Sequence, residues 1–116
     1  MRHKKNVVRL GRNKSHRKSL SRNMAIGFFQ NKKIITTQAR AKQLKPVLER
    51  LITIGKDPTP ANVRRINAYL NHLSSTRIAV ELGQRFKERN GGYIKIIKLG
   101  YRRGDASKMA IIKIVE

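Results

Sequence analysis

Twenty-eight lysines and arginines stand against six carboxylates in this 116-residue chain, a formal net charge of +22 at neutral pH. Charge of one sign on that scale works against any compact state, because folding brings the cations closer together. A fold is reachable only where its core outweighs the repulsion or a polyanion neutralises it. Phosphates suit the second role: binding them releases condensed counterions and relieves the self-repulsion together. Nucleic acid is therefore the first partner to consider. An anionic membrane surface is the competing polyanion. Basic membrane-surface helices carry a sustained apolar face, and no apolar run here approaches the roughly 20 residues of a spanning helix, so no membrane partner is expected.

The length fits one domain of the usual roughly 100 to 150 residues. With 39% apolar residues and no tryptophan, its core is small relative to its surface. The absence of cysteine excludes disulfides and thiolate metal sites and suits a reducing, cytoplasmic setting. Met1 to Lys5 is basic but no apolar stretch follows, so a secretory signal is not expected.

Charge is densest at the start. Arg2, Lys4, Lys5, Arg9, Arg12, Lys14, Arg17, Lys18 and Arg22 precede any carboxylate. Low hydrophobicity with high net charge buries too little to offset chain entropy. Residues 1–14 therefore read as a basic arm that a partner orders, and residues 15–116 as a single globular α+β domain. His3 and His16 add hydrogen-bonding capacity to the basic segment. Ser15 suits the N-cap of a helix reaching about Gln30, with Leu20, Met24 and Phe28 repeating along one face beside Ala25 and Phe29. Arg17, Lys18 and Arg22 lie on the other side.

Asn31 suits a left-handed terminator, and Ile34 to Thr37 a short β-branched strand. Thr37 then caps a second helix bearing Leu44, Val47, Leu48, Leu51 and Ile52 and stopping at Gly55. Pro46 inside it removes a donor and clashes with the preceding turn, so a kink or split is expected. Thr59-Pro60 is a cap followed by proline at the first helical position, opening a helix to about Asn71. Ser74 or Ser75 starts another, with Ile78, Ala79 and Leu82 inward and Gly83 as its stop, and Phe86 packing just beyond. Gly91-Gly92 breaks the chain before a strand over Tyr93 to Leu99, and a loop from Gly100 to Ser107 leads to a strand over Lys108 to Val115, a hairpin. The sum is an α+β fold: a small mixed three-stranded sheet packed with about four helices, plus the basic N-terminal arm.

Chemistry finds little to work with. His3, His16 and His72 lack the spacing of a metal site. The six carboxylates are scattered among cations that lower their pKa values, which suits salt bridges better than paired acid-base work. There is no Walker-type phosphate loop and no nucleophile elbow. No enzyme activity, metal or cofactor is expected. Arg103-Gly104-Asp105 spells an adhesion tripeptide, but three residues recur by chance, and a basic turn explains them as well. Tyr93 beside Arg89, and Tyr101 beside Arg102 and Arg103, pair a stacking ring with a phosphate-binding cation; partial burial against the sheet is the alternative for each tyrosine. Cations recur along the whole chain, at Lys42 among others, so no one recognition helix stands out and RNA suits the pattern better than duplex DNA. The residues expected to face RNA are those of the arm (Arg2, His3, Lys4, Lys5, Arg9, Arg12, Lys14), then His16, Arg17, Lys18, Arg22, Lys42, Arg89, Tyr93, Tyr101, Arg102 and Arg103. A free-standing DNA- or RNA-binding architectural protein is the alternative reading.

Several spaced blocks of this sequence resemble one family. Met1-Arg2-His3, Ser15-His16-Arg17 and Arg22-Asn23-Met24-Ala25 are followed by Ile34-x-Thr36-Thr37-x-x-Arg40-Ala41-Lys42. Then come Glu49-x-Leu51-Ile52-Thr53-x-Gly55-Lys56, Glu81-Leu82-Gly83 with Arg85-Phe86, Arg89 with Gly91-Gly92-Tyr93, and Gly104-Asp105 with Met109-Ala110. Together they resemble the bacterial large-subunit ribosomal protein family numbered seventeen, over nearly the whole chain except Lys56 to Ser75. Pro46 departs from the charged residue expected there. The resemblance implies an α+β domain bound to large-subunit ribosomal RNA near the mouth of the peptide exit tunnel. Neighbouring ribosomal proteins are the implied further partners, and no homo-oligomer is required.

Overall fold

A computed structural model describes residues 14–115. The order is α1 (Lys14–Asn31), β1 (Lys33–Thr37), α2 (Gln38–Gly55), α3 (Pro60–Leu70), α4 (Leu73–Arg85), β2 (Ile94–Tyr101) and β3 (Lys108–Ile114). The three strands form one sheet in the order β1-β3-β2. Both pairings are antiparallel, which corrects the expected mixed sheet. The last strand lies in the middle, pairing with β2 through the hairpin and with β1 on its other edge, so it opposes both neighbours.

Alternation along β3 turns Ala110, Ile112 and Ile114 inward, where α2 covers them with Leu44, Leu48, Leu51 and Ile52. Phe28 and Phe29 from α1, Ile66 and Leu70 from α3, and Ala79 and Leu82 from α4 complete the same core. The two phenylalanine rings meet edge to face at 5.5 Å, a favoured aromatic geometry.

Local chemistry sets most helix ends. The Thr37 hydroxyl accepts from Arg40 N, and the Thr59 hydroxyl from Asn62 N ahead of Pro60. Asn71 closes α3 in the left-handed region at φ 50°. Elsewhere the ends differ from expectation. Helix α1 already runs at Lys14, which places Ser15 inside it. The left-handed residue after α1 is Lys32, at φ 62°, while the Asn31 side chain donates back to Gly27 O at 3.1 Å. His72, and neither serine, caps α4, its Nδ1 accepting from Ser75 N at 3.3 Å. Ser75 and Thr76 are buried, and the Thr76 hydroxyl donates to His72 O at 2.9 Å.

Helix α2 runs unbroken through Pro46. Proline in a regular helix interior costs about 3 kcal/mol. Here both Pro46 and Lys42, whose carbonyl loses its donor, lie on the solvent side, so that carbonyl is open to water while the opposite stripe anchors the helix in the core. Helix α2 ends at Gly55 as expected, with Gly55 its last helical residue and Lys56 the cap, whereas Gly83 is not a stop, since α4 continues to Arg85. The two glycines are the points where α2 and α4 touch backbone to backbone, since a Cβ on Gly83 would lie 2.3 Å from the Gly55 carbonyl carbon.

Candidate nucleic-acid interface

The expected interface residues divide once they are placed in the fold. Arg2, His3, Lys4, Lys5, Arg9 and Arg12 lie outside the described residues, as does the expected ordering of the arm. Lys14 opens α1. His16 and Lys18 are exposed on that helix. Arg22 is partly committed to the fold, its Nε donating to Tyr69 O at 3.1 Å and tying α1 to α3. Arg17 has a buried Nε with no hydrogen-bond partner among the described residues. Lys42 and Arg89 are exposed on α2 and after α4.

The two tyrosines part company. Tyr93 is 1% exposed. Its ring packs on Phe86 at 5.4 Å between centroids, lies under the Lys56 ammonium at 4.8 Å, and has its hydroxyl 3.3 Å from Thr53 Oγ1. No face of that ring is open to a base, so the expected stacking role falls away and burial, the alternative, holds. Tyr101 is 71% exposed at the end of β2.

At the hairpin tip, Arg102 makes a two-pronged bond to Asp105, Nη2 to Oδ2 at 2.5 Å and Nε to Oδ1 at 3.2 Å. Ser107 N donates to the same carboxylate at 3.1 Å. The Arg102 guanidinium, then the Ser107 donors, hold the Asp105 carboxyl well below the usual carboxylate range. This accounts for the tripeptide: Asp105 staples a turn to the arginine preceding the motif, and Arg103 stays exposed at the tip. A depressed carboxyl stabilises its structure fully above the unfolded pKa and loses that stabilisation as pH falls through the folded value. Asp105→Asn is therefore expected to loosen the tip without moving the global melting temperature. In the parent the Ser107 amide resonance should hold its position through the normal carboxylate range and shift only in stronger acid; movement near pH 4 would contradict the staple.

Two hollows lie where the hairpin meets the start of α2. One is lined by Gln38, Lys98, Gly100, Tyr101 and Lys108, the other by Thr37, Gln38, Ala39, Lys42, Ser107 and Lys108, so that Gln38 and Lys108 are common to both. The first joins Lys98 and Lys108 to an exposed tyrosine and the second joins Lys108 to Lys42, neither with a carboxylate in its lining, an arrangement suited to a phosphate backbone with an adjacent unstacked base. Sequence reading found Lys42 and Tyr101 but not Lys98 and Lys108. These two read as solvent-side strand residues, and only the pairing of β2 with β3 brings them to the start of α2.

The chain is thus a small α+β protein whose helices and strands present cations, with acids too few to balance them. Comparison makes the assignment narrower. A profile of the ribosomal protein L17 family matches residues 20–115. The large ribosomal subunit protein bL17 of Pelobacter propionicus is 44% identical over 117 aligned residues, covering all of this chain and 92% of the relative. The bL17 of Novosphingobium aromaticivorans is 43% identical, covering all of this chain and 83% of that protein. The chain belongs to the ribosomal protein L17 family.

Proposed function

We propose that this protein is a structural constituent of the bacterial large ribosomal subunit, that it binds large-subunit ribosomal RNA, and that it supports subunit assembly without catalysing a reaction. The relatives carry that subunit in their names. The observation that carries the RNA reading is the lack of internal neutralisation. Among the described residues, lysines and arginines make a single ion pair, Arg102 with Asp105, in a chain with 22 more cations than carboxylates. Exposed cations without partners are what phosphates bind, with counterion release as the driving term. Residence in cytoplasmic ribosomes follows from this reading. A place near the mouth of the exit tunnel and contacts with neighbouring ribosomal proteins belong to it as well, supported by the family resemblance.

Sucrose-gradient sedimentation of cell extracts at moderate and high salt tests it. The protein is expected to travel with the large subunit and to be loosened by salt. Retention on free duplex DNA, with none on ribosomes, would establish the architectural reading in its place.

A further inference from the structure

The strand register aligns three lysines that are far apart in sequence. Lys113, at the centre of the sheet, sits directly opposite Lys33 on β1 and Lys95 on β2. Directly opposed residues on a sheet face have Cβ atoms about 4.5–5.5 Å apart, and like charges at such positions destabilise the pairing. Folding gives no reason for the row. The next outward row, Ile35–Ile111–Ile97, shows that the face accepts the β-branched residues that strands favour. No described carboxylate pairs with the lysines. The helices pack on the other face, and this one is open: Ile35 is 61% and Ile97 38% exposed.

Resting on the RNA reading above, we infer that the open face of the sheet is an RNA-backbone docking surface, the row Lys33–Lys113–Lys95 binding phosphates and the isoleucine row lying against ribose. Phosphates convert the cross-strand repulsion into attraction, which no neutral occupant does. A second copy of the chain would bring another +22 charge onto the face. The rows hold no aromatic residue to stack bases, so this surface reads backbone and shape and leaves base sequence unread.

The mechanism sets opposite signs on two measurements of one variant. Lys113→Thr in the full chain is expected to raise the melting temperature of the free protein, most at low ionic strength where screening is weakest. The same change is expected to weaken binding to large-subunit ribosomal RNA and to lower the slope of log affinity against log salt by about one. Lys33, Lys95 and Lys113 replaced together by threonine should lower it by about three. Lys87→Thr, an exposed lysine outside the row, is the control for loss of one charge. It is expected to leave stability unchanged and to weaken binding less. Equal RNA affinity and salt slope in the Lys113 and Lys87 variants would overturn the docking surface while parental RNA binding left the broader reading standing. Loss of an acidic protein contact in the assembled subunit, with RNA affinity intact, would overturn it in favour of a protein partner. Failure of the parent to bind the RNA would remove both.

Discussion

Gly83→Ala is expected to destabilise the protein by about 3 kcal/mol or more, at the upper end of what inserting one carbon into a packed interior does. The added Cβ would lie 2.3 Å from the Gly55 carbonyl carbon and 2.6 Å from both Gly55 O and Lys56 N. All three obstacles are backbone, so no side chain can rotate away and α2 must separate from α4. That separation disturbs Leu51, Ile52, Ala79 and Leu82, each buried in the core. Against a typical stability of about 5–15 kcal/mol, the melting temperature should fall by roughly 10 °C or more. Gly27→Ala is the contrast. Its Cβ would meet Ile34 Cδ1 at 3.7 Å, an ordinary contact, and Gly27 lies inside α1. Relief of glycine's backbone entropy should make that variant neutral or more stable by about 0.5–1 kcal/mol. Urea melts of the two would measure both, and a Gly83→Ala protein melting within a degree or two of its parent would mean that the helices are not in backbone contact.

The same glycines show where sequence reading stops. A glycine near the end of an apolar helical stripe fits a left-handed cap, and local pattern alone does not separate that use from close approach of a second helix. Thr37 and Thr59-Pro60 were legible because a cap is made by residues three apart. The hairpin was legible because its breaks and strands are consecutive. Strand order was not, since β1 joins the far edge of β3 across some seventy residues of chain. The lysine row was invisible for that reason: each lysine taken singly is an ordinary solvent-side strand residue, and only the register sets them opposite one another. Tyr93 and Tyr101 carry similar neighbours in sequence. The first precedes β2 and falls over Phe86, whereas the second ends the strand beyond the cover of α2, a distinction made by packing. Charge, by contrast, is a sum over residues and was fully readable.

Removal of residues 1–13 is expected to leave a folded protein that binds large-subunit ribosomal RNA much more weakly. The cut falls just before α1, which begins at Lys14, and among the described residues the first buried one is Ala25. Five of the removed residues are Arg2, Lys4, Lys5, Arg9 and Arg12, and none is acidic. Losing them lowers the net charge, so the melting temperature should stay constant or rise. Each phosphate neutralised contributes about 0.9 to the slope of log affinity against log salt on a duplex and about 0.7 on a single strand. If each of the five cations neutralises one phosphate, their removal lowers the slope by roughly 4, and the deficit in affinity should be largest at low salt. An arm of the same composition in scrambled order separates two modes of action. Restoration of the slope but not of stable incorporation into subunits would show that the arm is fitted to particular RNA crevices, whereas restoration of both would show that its cations act through charge alone. A truncated protein with the parental slope would mean that the arm does not touch phosphates, and the proposed coupling between the basic N-terminus and RNA would fail.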